Sequence, residues 1–188
     1  MLNNLIELPI WVTNLDIDTD EILSVAKDLF EKNPDVKHFL EKGDAQSSYA
    51  LTQNLTEYSE FAELRSLVLP EAKKYWDEYG LDCFVQPQIM DSWINRHGKG
   101  GSTFPHFHAQ SPIVGVFYLQ FEEGNGNLFM EDPLHYHKAH EPRPNWESEL
   151  ELPIQQNDLI LFPGYVKHWT GINEIDKERV IISFNFGK

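Results

Sequence analysis

Cysteine is nearly absent: the 188 residues contain one, Cys83. A lone thiol excludes an internal disulfide and fits a reducing compartment, and with Phe84 beside it Cys83 is expected to be a small core residue. Long apolar runs are absent too. No window approaches the roughly 20 apolar residues that cross a bilayer. The segment Met1 to Glu7 has no basic stretch, so no signal peptide is expected and the cytoplasm is the expected location. Positive charge is scarce: 15 Lys and Arg face 30 Asp and Glu, a formal net charge of −15. Such a surface repels phosphate backbones, which argues against nucleic acid as a partner. The acidic residues are dispersed rather than gathered into a tail, a pattern that serves solubility.

What is present suits one packed domain. Hydrophobic residues make up 41% and aromatics 13% of the chain, enough for a sizeable core at this length. A single domain over 1–188 is expected, with a strand and supporting helices in 1–82 and a β-rich core in 83–188. Leu5 to Val12 reads as a short strand, with Pro9 at an edge-compatible position. Asp18, with Glu21 three residues on, starts a helix that carries Ile22, Val25, Leu29 and Phe30 on one face and stops at Asn33-Pro34. A second helical face runs through Phe61, Leu64, Val68, Ala72, Tyr75, Trp76 and Tyr79. Pro70 is expected to kink or restart it, and Gly80 to end it.

From Cys83 the pattern changes to short β-rich runs at 84–96, 103–108, 113–121, 127–131, 151–154, 158–162 and 178–187, separated by Gly, Pro and Asn. Many short strands at this spacing predict a double-sheet jelly roll, the double-stranded β-helix, with the helices packed outside. The stretch 132–150 lacks a strong pattern and holds His135, His137 and His140. A connection of that length predicts a lid or binding loop. Its histidines are expected to be solvated or substrate-lining, with a second metal site the lesser alternative.

Pro105-His106-Phe107-His108 places two imidazoles one residue apart. On an extended segment both face the same way, because side chains alternate along a strand. His168 follows sixty residues later, just past the Pro163-Gly164 corner, and can close a three-point site with open coordination positions. Such a facial site suits non-haem iron holding a co-substrate and oxygen. Arg179 lies eleven residues beyond His168. On its strand, Arg179, Ile181, Ser183 and Asn185 share one face; Val180, Ile182, Phe184 and Phe186 form the other, wholly apolar. The apolar face belongs in the core, so the Arg/Ser/Asn face is expected to line a polar cavity where the guanidinium meets a carboxylate. The alternative is a surface Arg179 paired with Glu174 or Asp176.

The runs "PHFHAQSPIVGVFYL", "GNLFMEDP", "LILFPGYVKHW" and "ERVIISFNF" together resemble the Fe(II)- and 2-oxoglutarate-dependent oxygenases. More narrowly, the chain is similar to short stand-alone members related in fold to prolyl hydroxylases. The resemblance covers about residues 84–188. It implies iron ligation by His106, His108 and His168, and Arg179 as anchor for the remote carboxylate of 2-oxoglutarate. Tyr118, Asn95 and Ser183 are candidates for further co-substrate contacts, with an ordinary place in their strands the alternative for Tyr118 and Asn95. Trp169 beside His168 is expected either at the mouth of the site or as a buried core aromatic; in the first case it joins the loop residues His135 and His137 as candidates for substrate contact. The implied reaction consumes O2, converts 2-oxoglutarate to succinate and CO2, and hydroxylates a C–H bond of a peptidyl side chain or small molecule. His108 departs from the family's usual pattern, which has an acid there. A neutral imidazole leaves the metal centre one unit more positive, a charge that the dianionic co-substrate offsets. Two alternatives stand beside this one: a cupin-like three-histidine dioxygenase that does not use 2-oxoglutarate, and a non-catalytic jelly-roll binding module.

Overall fold

The longest strands are buried on both faces, and the layers follow from covering each. The computed structural model describes residues 8–51, 54–134 and 148–188. In chain order the elements are β1 (Trp11–Asn14), α1 (Asp20–Lys32), β2 (Glu41–Lys42), β3 (Ala45–Ser47), α2 (Ala62–Glu78), β4 (Gln88–His97), β5 (Ser102–Thr103), β6 (Ile113–Gln120), β7 (Leu128–Glu131), β8 (Glu149–Leu152), β9 (Asp158–Pro163), β10 (His168–Thr170) and β11 (Arg179–Gly187). Short 3-10 turns lie between β3 and α2.

Six strands pair in the order β1-β9-β6-β11-β4-β3, facing a three-stranded sheet β10-β7-β8; β2 and β5 pair separately. Every ladder is antiparallel. This is the jelly roll expected from the strand spacing. On the outer face of the large sheet, Ile94, Phe117, Leu119, Leu159, Leu161, Val180, Ile182, Phe184 and Phe186 pack against Ile22 and Phe30 of α1 and Leu64, Val68 and Trp76 of α2. On the inner face, Val114, Val116, Tyr118, Ile160, Phe162 and Ile181 pack against Leu128 and Met130 of the small sheet. Each fully buried aliphatic or aromatic side chain contributes about 1.5–3 kcal/mol. The strand alternation in β11 therefore falls as its sequence predicts, with 180, 182, 184 and 186 toward the helices.

Several boundaries differ from expectation. α1 starts after Thr19, and Asp18 accepts from the Asp20 backbone N–H at 3.0 Å. Pro70 sits inside α2 without ending it, while Gly80 follows the helix in a left-handed conformation (φ 78°). The N-terminal portion supplies three strands rather than one, with β2 and β3 forming between the two helices. Cys83 and Phe84 are exposed, Phe84 at 94%, so neither is a core residue: β4 begins only at Gln88. Residues 149–152 form β8, and His135, His137 and His140 lie outside the described residues. Among the described residues, no helix is long and apolar enough to cross a membrane.

Candidate metal centre

His106 does not lie on a continuous strand, because β5 ends at Thr103. An isolated antiparallel bridge sets it opposite His168: the His106 N–H donates to His168 O at 3.0 Å, and the His168 N–H donates to His106 O at 2.9 Å. His108 is fixed by its own N–H, which donates to Gly164 O at 2.7 Å. Only glycine fits at that corner, since a Cβ on Gly164 would lie 1.9 Å from Ser111 O. Backbone pairing thus brings three imidazoles together, with ring centroids 4.3–5.3 Å apart. One ring nitrogen from each of His106, His108 and His168 lies within 4.8 Å of the others, a set that can hold one metal ion.

The other ring nitrogens are occupied. Nδ1 of His106 faces Phe104 O at 2.8 Å and Nδ1 of His168 faces Val166 O at 2.9 Å. Carbonyls only accept, so both rings carry their proton on Nδ1 and present a bare Nε2. Nδ1 of His108 faces Asn185 Oδ1 at 2.6 Å, and its buried Nε2 has no partner. Burial, reinforced by the neighbouring His106, pushes His108 down to about 4, against the pull of Asn185 and Asp91. Burial also lowers His106, and burial with the two neighbouring rings lowers His168 well below the usual histidine range. The three rings are therefore neutral at pH 7, the form that ligates a divalent metal.

A cavity of about 440 Å³ opens at these rings, lined among others by Asp91, Trp93, Asn95, Thr170, Trp169, Ile181, Ser183 and Asn185. Its size matches a small-molecule site. Trp93 stacks on the His108 ring (centroids 6.0 Å apart), and Trp169 stacks on Phe129 (5.7 Å). Asn95 Nδ2 donates to Ser183 Oγ at 3.3 Å, while Asn95 Oδ1 is buried without a partner.

Arg179 departs from expectation. It is neither on the surface nor on the cavity wall: it is 0% exposed, and its neighbour on the wall is Thr170, whose Oγ1 accepts from Nη2 at 2.8 Å. Nη1 donates to the carbonyls of Asn125, Gly126 (2.7 Å) and Gly171 (3.0 Å), and Nε donates to His97 Nδ1 at 3.3 Å. A Cβ on Gly126 would lie 2.5 Å from the Gly171 backbone, so glycine lets these two carbonyls converge. His97 in turn donates Nε2–H to Glu41 at 2.7 Å, and Thr103 Oγ1 also reaches Glu41. Burial, with Arg179 adding to it, drives His97 down to about 4, and burial lowers Arg179 to about 10. Tyr118, also expected at the cavity, is fully buried off its wall; its hydroxyl has no partner, and burial raises its pKa against the opposing influence of Arg179.

Asn185 was expected on the cavity-lining face, but four residues of this arrangement carried no role in the sequence. Asp91 and His97 share strand parity with Asn95, a signal that could have found them. Glu41 and Thr170 had none, because they join the cluster only when β2 and β10 converge on β4.

Residues 91–185 match the family model 2OG-FeII_Oxy_5, described as "Putative 2OG-Fe(II) oxygenase". The chain belongs to that family. It is therefore an Fe(II)- and 2-oxoglutarate-dependent oxygenase, with O2 as oxidant. Solved structures share the fold at low identity. HygX from Streptomyces hygroscopicus, with nickel, 2-oxoglutarate and hygromycin B bound, is 13% identical over 95% of this chain and 82% of its own (TM-score 0.62). A prolyl-4-hydroxylase from Pseudomonas putida is 11% identical over 95% and 92% (TM-score 0.60). The epimerase SnoN from nogalamycin biosynthesis is 14% identical over 95% and 77% (TM-score 0.64). No curated protein matches in sequence.

Proposed function

We propose that His106, His108 and His168 hold the iron through their Nε2 atoms, and that the enzyme hydroxylates a C–H bond of a small molecule or peptidyl side chain in the adjoining cavity. The observation that carries this is the convergence of three neutral imidazoles whose Nδ1 atoms are all engaged, leaving the metal-facing nitrogens bare. Buried lone pairs without partners are costly unless a ligand takes them up. The bound iron supplies the oxidation: 2-oxoglutarate and O2 become succinate and CO2 as the C–H bond becomes C–OH.

The chain's own residues do the rest. Val114, Val116, Leu128 and Ile181 keep water from the cavity, and Trp169 forms part of the wall that meets the substrate. The remote carboxylate of 2-oxoglutarate is held at the Arg179 end, where the guanidinium brings positive charge and the unpartnered Tyr118 hydroxyl a donor. Nη1 and Nε are committed to backbone and His97, so Nη2 with Thr170 is the part of Arg179 that meets the carboxylate. Asn95 and Ser183 line the path between this end and the metal. The whole chain is one catalytic domain on this view, because β1 and β3 from its N-terminal part complete the large sheet.

Tyr118→Phe tests the co-substrate site with little risk to folding, since it removes a buried hydroxyl that has no partner. Calorimetric titration of the manganese-loaded protein with 2-oxoglutarate should show affinity reduced about tenfold, as for loss of one charge-assisted hydrogen bond. Arg179→Lys keeps the charge and should bind more weakly still, because one ammonium cannot satisfy the three carbonyls and His97 and also present a donor where Nη2 stands. Unchanged affinity in both variants places the carboxylate elsewhere.

A further inference from the structure

His108 differs from the other two rings in what fixes its tautomer. The partners of His106 and His168 are backbone carbonyls, which can only accept. The partner of His108 is a side-chain amide, which can present either Oδ1 or its NH2 group. If the NH2 group faced His108, Nδ1 would accept, the proton would sit on Nε2, and that nitrogen could not ligate. Asn185 is held one way by its second contact: its Nδ2 donates to Asp91 Oδ2 at 3.3 Å. A carboxylate only accepts, so the NH2 group must face Asp91 and Oδ1 must face His108. The two contacts come from paired strands, with Asn185 opposite Asp91 in the β11–β4 register. Asp91 is not in the ligand cluster itself.

Resting on the proposed metal site, we propose that Asp91 is a positioning residue: through the orientation of the Asn185 amide it locks His108 in the Nδ1–H tautomer and so makes it a ligand. Asp91 then lends negative charge at one remove to a centre whose three protein ligands are all neutral. Outer partners of this kind typically change metal affinity about 10–100-fold when removed.

Asp91→Asn keeps size and removes the constraint, because a second amide can accept or donate. Nitrogen NMR of the metal-free protein should show His108 moving from a single Nδ1–H form to a mixture, while His106 and His168 keep theirs. Cobalt(II) titration, followed by its visible absorption, should show roughly tenfold weaker binding. Adding Asn185→Asp to Asp91→Asn should restore both readouts, since a carboxylate at 185 can only accept. A residue with a merely structural role would change the melting temperature and leave the tautomer alone. An unchanged tautomer and unchanged cobalt affinity in Asp91→Asn overturn the proposal, as does a double variant that binds no better than Asp91→Asn. If instead the wild type binds no cobalt, or His168→Ala binds it equally well, the metal site itself is wrong.

Discussion

Two polar clusters, one around Arg179 of β11 and one around His168 of β10, are finished to different degrees. Around Arg179 the polar atoms of the guanidinium, His97, Glu41 and Thr103 meet one another or backbone carbonyls, so that cluster closes on itself. Around His106, His108 and His168 the outer nitrogens are satisfied and the inner ones face each other across open space. A closed cluster specifies the fold. One left open on a single side, with the rest of its hydrogen bonds complete, is shaped for a ligand. Tyr118, with its unpartnered hydroxyl near Arg179, is the one polar side chain beside the closed cluster that is left without a partner among the described residues.

The largest expected effect comes from breaking the closed cluster. Arg179→Ala strips donors from three carbonyls and leaves Glu41 buried without its cation, so denaturant unfolding should show a loss of about 3–5 kcal/mol. Arg179→Lys should fall between this and wild type. The cluster should also fail in acid. His97 is buried neutral with a pKa near 4, below the ordinary 6.5, so the unfolded state binds more protons between these values and stability falls as pH drops through that window. His97 alone accounts for about 3 kcal/mol by pH 4, from about 1.4 kcal/mol per pKa unit. Melting curves of the metal-free protein from pH 7 to 4 check this, and the lowered pKa values of His106, His108 and His168 add to the same slope.

The open cluster should respond in the opposite manner. His168→Ala should weaken metal binding by more than about 100-fold, beyond the range for outer partners, while the metal-free protein loses comparatively little stability. Parallel metal titration and thermal melts would separate the two effects. A large stability loss without metal would show that the cluster is structural after all. A further test is Gly164→Ala, whose Cβ would collide with the Ser111 backbone. The chain must shift there, at a cost of about 1–3 kcal/mol or more, and because His108 hangs from Gly164 O, metal affinity should fall along with stability.

Much of this was legible in the chain. The jelly roll follows from seven short β-rich runs, and the alternation in Arg179 to Phe186 correctly separates the face packed under the helices from the inner face. The gathering of His106, His108 and His168 was also legible, although not for the reason of strand parity: residues 103–108 are not a strand, and a backbone bridge and a glycine corner place the rings instead. Arg179 was legible as inward and cationic, but its surroundings were not. The carbonyls that take it up come from 125, 126 and 171, segments with no pattern that announces a partner for a guanidinium.

The sequence by itself determined periodicity and residue type: which faces are apolar, which segments alternate, and that three imidazoles and an arginine point inward. These are local properties, set by the spacing of side chains along each strand. Only the tertiary structure decided which hydrogen bonds close and which stay open. It put Glu41 against His97, left Tyr118 without a partner and set Asp91 across from Asn185. The reason is physical: hydrogen-bond satisfaction depends on distances between segments far apart in the chain, and those distances exist only once both sheets are packed.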